Sequence, residues 1–162
     1  MAVTSAGILL HRRSGDGVEV LIAHMGGPFW ARKDDAAWSI PKGEYDPDGE
    51  SATDAARREF REELGVDPPD APYVELGTFA YSSGKRITVF AADGAGFAAS
   101  DFVYGTFPLE WPPRSGRVQE FPEVDRAEWV ATDAARTRLV KGQRPILDAL
   151  ERHLGTDAAV DA

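Results

Sequence analysis

Short apolar runs separated by polar turns mark the first part of the chain. Residues 5–11 are mostly apolar and end at the turn formed by Arg12, Arg13, Ser14, Gly15, Asp16 and Gly17. From 18 to 24 the pattern resumes, with Val18, Val20 and Ile22 on one face and Leu21 among the others. A period of two predicts a strand in each segment, and the turn between them predicts a hairpin. Glycine and proline interrupt 26–33, which is expected as a loop beside a site. Residues 38–41 read as a short extended piece leading into the turn-rich stretch 42–49.

The period changes between 51 and 64, where alanines, Phe60 and Leu64 recur among charged residues at helical spacing before Gly65 ends the run. A stiff linker is expected at 67–70. Neighbouring strands are predicted at 74–81 and 86–92, followed by a small, flexible segment at 94–100 and further strands at 102–107 and 126–130. A short helix at 132–140 and a longer one at 144–154 complete the set, with Pro145 suited to a first helical turn. This order predicts an α+β fold, an α/β/α layering of helices on a mixed sheet. One domain is expected over 1–154, with 155–162 as a flexible tail.

Length and charge narrow the function classes. A chain of 162 residues suits one buried core. Its formal charge of -9, from 18 basic and 27 acidic residues, disfavours nucleic-acid backbones. A bound cation changes that argument locally, because it brings a small anionic phosphate to an acidic surface. The absence of cysteine excludes a disulfide scaffold and a thiolate nucleophile. Without a signal-like start or a membrane-length apolar run, a cytoplasmic protein with no membrane partner is expected. A homodimer is compatible with the chain, but no interface is legible.

The chemistry concentrates on the predicted helix. Glu59, Glu62 and Glu63 are three and four positions apart, so their carboxylates share one side. Like charges gathered in this way disfavour a bare helix, and a hard divalent cation reverses the penalty. Glu50 stands one element earlier and reaches the same cluster, while the donor fork of Arg58 is suited to holding a carboxylate. Ala56 and Phe60 lie opposite and attach the helix to the core.

Gly43, Glu50, Arg58, Glu59, Glu62, Glu63 and Gly65 together resemble the signature of the Nudix hydrolase family. The interval from Gly43 to Glu50 is one residue longer than the family's pattern, and the spacing from Glu50 through Val66 agrees with it. The resemblance implies hydrolysis of a nucleoside diphosphate linked to another moiety, with Mg2+ or Mn2+. It makes Glu59, Glu62 and Glu63 the principal metal ligands, Glu50 a further one and Arg58 their structural partner. A carboxylate outside the helix completes the base or metal set in several family members; Glu120 is the first candidate here and Glu123 the second. The surroundings of Trp38 to Tyr45 and of Gln119 to Arg126 are similar to a bacterial Nudix subgroup of predicted nucleoside-triphosphate pyrophosphohydrolases.

Substrate contacts are expected from Lys42, next to Gly43, and from Lys85, Arg86, Arg114 and Arg117. Each of these cations also suits an ordinary solvated surface. Trp30 and Tyr45, with Phe29 or Trp111, are candidates for stacking on a base, whereas Trp38 and Phe60 are expected in the core. His11 and His24 are expected at the surface, with His153 on the last helix. The leading substrate class is a diadenosine polyphosphate or a related nucleoside polyphosphate. ADP-ribose or another nucleoside-diphosphate sugar is the alternative, and a noncatalytic nucleotide sensor is a third reading.

Overall fold

The protein is described from a computed structural model over residues 3–15, 17–98 and 102–161, with side chains through 155. The first hairpin joins β1 (Thr4–Ser14) to β2 (Gly17–Met25), with Ser14 opposite Gly17 and His11 opposite Val20. β1 then runs parallel to β6 (Arg86–Asp93), which pairs antiparallel with β5 (Val74–Ala80). Two short strands, β3 (Trp38–Ser39) and β4 (Lys42–Glu44), pair with β2 and β1 respectively. β9 (Val124–Ala131) pairs with β2 and completes a mixed seven-stranded sheet.

Both faces of this sheet are covered, which is why its strands are apolar on both sides. Leu9, Val20 and Ile22 face Trp38, Ile40 and the helical residues Ala135, Ile146, Leu147 and Leu150. Ile8, Leu10 and Leu21 face Ala55, Ala56, Phe60 and Leu64 of α1 (Ala52–Leu64). The first of these layers holds α2 (Thr132–Arg138) and α3 (Arg144–Asp161), separated by a 3-10 turn at Lys141–Gln143. The expected α/β/α layering is therefore observed, with Trp38 and Phe60 buried as predicted.

α1 is cut to length at both ends. Ser51 Oγ accepts from the amide of Asp54 at 3.1 Å, satisfying an orphan donor of the first turn. Gly65 adopts φ 74° and its amide donates to the Arg61 carbonyl, so the last turn closes in a conformation that favours glycine. Phe60 is completely buried on the sheet side, and truncating it to alanine costs about 3–5 kcal/mol by cavity formation. The helix is thereby fixed on the sheet through Ala55, Ala56, Phe60 and Leu64.

Three expectations require correction. The apolar stretch 102–107 is not a strand up to Gly105: Phe102 and Tyr104 pack against the α1 side of the core, and the Val103 amide donates to the Leu64 carbonyl. The strand there is β7 (Thr106–Glu110), paired with β8 (Val118–Pro122) in a separate two-stranded sheet. β8 was legible only as loop because Val118, Gln119 and Glu120 are all exposed, leaving no alternation to detect. His24 is fully buried rather than at the surface, since β9 and the segment after β2 cover it. The helical backbone of α3 continues beyond residue 154, and the expected tail falls mainly where side chains lie outside the described residues.

Candidate active site

β4 lies beside β1, with Gly43 opposite Ala6, and it carries the signature's first residues under α1. The Lys42 amide donates to Glu63 Oε2 at 3.3 Å, so the strand and the helix meet at the carboxylates. The longer interval before Glu50 is closed by a turn in which the amides of Gly49 and Glu50 donate to the Asp46 carbonyl. Asp46 Oδ1 also accepts from the Asp48 amide at 3.0 Å. These bonds keep the loop tied down while Glu50 returns to the helix.

Arg58 organises the acids from beneath. Its Nε and Nη2 donate to the two oxygens of Glu50 at 2.8 and 2.9 Å, and Nη1 donates to Glu59 at 2.9 Å and to Glu62 at 3.2 Å. The hydrogen bond from Arg58 holds the Glu50 carboxyl below the usual carboxylate range. Glu50 is committed to this fork and does not line the cleft described next.

A cleft of about 520 Å³ is lined by Glu59, Glu62, Glu63 and Glu123, with Lys42, Trp30 and Phe107 around them. Burial pushes Glu63 up to about 8, opposed by Lys42 and reinforced by the carboxylates of Glu123 and Glu59. Burial also raises Glu59, offset by Arg58. Glu62 remains open, with 56% of its side chain exposed against 14% for Glu59. The set therefore grades from a desolvated floor to a solvent-facing rim.

Glu123 reaches the cleft because two backbone bonds fix it. Its amide donates to the Gly105 carbonyl at 2.8 Å, and its carbonyl accepts from Gly26 at 2.9 Å. Gly26 has no room for a Cβ, which would strike the Pro122 backbone. Glu120, the first candidate for the additional carboxylate, lies exposed on β8 and is absent from the cleft lining.

The cationic candidates separate. Lys42 and Lys85 both line an adjoining pocket of about 320 Å³, which also contains Ser39, Tyr81 and Gln143. Arg86 is at the exposed start of β6, and Arg114 and Arg117 are in the exposed turn between β7 and β8. None of these three arginines lines either pocket. Trp30 borders the acidic cleft, whereas Tyr45 lies against the α1 side of the core and borders a different depression with Thr4 and Asp48. Phe29 meets Trp111 edge-on at 5.3 Å outside the cleft. Phe107 was not expected at the site, because its position depends on the pairing of β7 with β8.

The oxygen donors of Glu59, Glu62, Glu63 and Glu123 suit a hard divalent cation, and burial raises the Glu63 and Glu59 carboxyls at the floor of the cleft. Among the described residues, no three acidic or histidine side chains are drawn together tightly enough to enclose a metal by themselves.

The NUDIX domain model matches residues 1–150, and the chain belongs to the Nudix hydrolase family. An Enterobacteria phage T4 protein, the uncharacterized 17.7 kDa protein in the e-segB intergenic region, is 46% identical over 54 residues, 33% of this chain. That match spans 36% of the phage protein, about a third of its length. Among solved structures, a C. elegans Ap4A hydrolase binary complex has a TM-score of 0.59 at 21% identity, covering 96% of this chain and 99% of that one. The NUDIX domain of Shewanella oneidensis NrtR complexed with ADP ribose has a TM-score of 0.63 at 15% identity, covering 95% and 89%. A mutT/nudix family protein from Listeria innocua reaches 0.61 at 17% identity, covering 98% and 97%. At these identities the likeness establishes the fold. Among the described residues, no helix is long and apolar enough to cross a membrane.

Proposed function

We propose that this protein cleaves a phosphoanhydride in a diadenosine polyphosphate or a related nucleoside polyphosphate, with Mg2+ or Mn2+ at the acidic cleft. The observation that carries the reading is the adjoining pocket, where Lys42 and Lys85 stand beside the carboxylate floor. A polyphosphate extending from the cleft meets both ammonium groups, whereas a sugar needs donors and acceptors that are free. The polar groups there are largely committed to each other: Gln143 Nε2 donates to Ser39 Oγ at 2.8 Å and to Tyr81 Oη at 2.9 Å. Gln143 Oε1 accepts from the Ile40 amide at 2.9 Å.

Glu59, Glu62 and Glu63 hold the cation in this reading, while Arg58 keeps Glu50, Glu59 and Glu62 in register. When bound, the cation neutralises phosphate charge and favours attack by water at phosphorus. Glu123 takes the proton from the attacking water, its backbone held by Gly105 and Gly26. Lys42 and Lys85 bind phosphate oxygens away from the cut, and Trp30 offers its ring to a nucleobase. Product-resolved turnover of diadenosine polyphosphates, nucleoside triphosphates, ADP-ribose and sugar nucleotides tests the assignment. Preference for ADP-ribose or a sugar nucleotide refutes the polyphosphate reading, and nucleotide binding without turnover favours a sensor.

A further inference from the structure

His24 lies at the end of β2, completely buried, with both ring nitrogens engaged. Nδ1 is 2.7 Å from Oδ1 of Asp125, and Nε2 is 2.6 Å from the Lys33 carbonyl oxygen. A carbonyl oxygen only accepts, so Nε2 must carry a hydrogen. With Asp125 ionised its oxygen accepts as well, so the short contact at Nδ1 then takes a second hydrogen from the ring. Neutral imidazole has a single N–H and leaves one of these contacts without a hydrogen. Imidazolium facing the Asp125 carboxylate satisfies both and pairs a charge that burial otherwise disfavours.

The two acceptors belong to segments that each supply a residue to the cleft lining, Trp30 and Glu123. Lys33 ends the turn that bears Trp30: its amide donates to the Trp30 carbonyl at 2.9 Å, and the Trp30 amide donates to Gly27 at 3.2 Å. Asp125 is two residues beyond Glu123. The pairing of β2 with β9 slips there: His24 pairs with Arg126 and Met25 with Val124, leaving Asp125 as the extra residue and interrupting the regular ladder beside Glu123. The imidazole bridge spans that interruption.

We propose that His24, carrying hydrogens on both ring nitrogens, is a positioning residue for hydrolysis that ties the Trp30 segment to the strand start bearing Glu123. The proposal rests on the reading of Trp30 and Glu123 as parts of the hydrolytic cleft. Its surroundings are charged on several elements. Arg126 approaches Asp125 at 3.8 Å, and the Trp38 ring, edge-on to His24 at 5.2 Å, lies beneath the guanidiniums of Arg126 and Arg138. Asp34 accepts from Trp38 Nε1 at 2.9 Å and faces Arg138 at 3.8 Å. The bridge is therefore set in a framework that already fixes the indole and the segment after Lys33.

Nitrogen-resolved NMR of the full-length protein tests the state of the ring directly. Directly bonded hydrogens on both His24 nitrogens are expected; one bare nitrogen overturns the proposal. Hydrogen exchange then compares the wild type with His24→Gln and Asp125→Asn, each checked for cooperative melting. Faster exchange at Gly26, Trp30 and Lys33 is expected in both, and unchanged exchange in a folded variant overturns the bridge. With magnesium and a cleaved nucleotide, kcat should fall about tenfold in either variant, with the double variant no worse than the weaker single. Wild-type kcat and KM in both folded variants also overturn the positioning role. A wild-type protein without metal-dependent turnover overturns the hydrolytic reading instead, because ring hydrogens and exchange are read without substrate.

Discussion

The Glu59 carboxylate occupies the space that a Cβ at Gly43 would need. A Cβ at 43 meets only the far end of the Glu59 side chain, so its cost falls on the placement of that carboxylate rather than on the backbone of β4 or α1. No left-handed backbone is involved, and any side chain at 43 has to displace a cleft carboxylate. A small change on one element is thereby transmitted to the oxygen donors on another.

Gly43→Ala should move Glu59 and reduce metal-dependent turnover about 100-fold, the scale expected for a misplacement near 1 Å. The protein should melt close to the wild type, since the atoms displaced are the far end of a flexible side chain. Steady-state turnover and thermal melting check both effects. Normal turnover in the folded variant would show that Glu59 need not occupy this position.

Arg58→Lys should retain the charge and lose the fork that holds Glu50 through two oxygens. We expect about tenfold more magnesium to be needed for half-maximal turnover, with a smaller effect on melting. A magnesium titration at fixed substrate measures this. Unchanged magnesium dependence would argue against organisation of the acids by the guanidinium.

The two loop carboxylates make contrasting predictions. Glu123→Gln should lower kcat about 100-fold or more if Glu123 accepts the water proton. Glu120→Gln should leave turnover unchanged, because Glu120 is outside the cleft lining. Side-by-side kinetics decide the assignment, and severe loss confined to Glu120→Gln would reverse it.

This contrast marks the limit of what was legible in the sequence. The spacing of Glu59, Glu62 and Glu63 was readable because a helix converts three and four positions into neighbours. The alternation of Val20, Leu21 and Ile22 likewise revealed two opposed core faces. Glu120 and Glu123 differ only in how β8, Pro122 and Gly26 turn the chain, which no periodicity records. His24 was misplaced for the same reason: Asp125 and Lys33 become its partners only after β9 and the Trp30 segment close over β2. Lys42 and Lys85 meet through β4 and the β5–β6 turn, a juxtaposition of distant segments.

Glu63 gives the metal-stripped protein a pH dependence of defined sign. Its ordinary value of 4.5 rises to about 8 on folding, so the folded state retains a proton that the unfolded state releases. This contribution to stability is present below about pH 4.5 and is lost as pH rises toward 8. Cation binding needs the carboxylate, so added magnesium should raise the melting temperature more near pH 8 than near pH 6. Melting across this range with and without magnesium checks the sign; a larger magnesium effect at the acidic end would contradict the role of Glu63.

Product-resolved turnover of diadenosine tetraphosphate alongside ADP-ribose, with and without magnesium, is the most direct test of the central claim. Magnesium-dependent cleavage that favours the diadenosine compound, lost in Glu62→Gln with the fold retained, is the predicted result. Preference for ADP-ribose, absence of any metal-dependent product, or full activity in Glu62→Gln at limiting magnesium would contradict it.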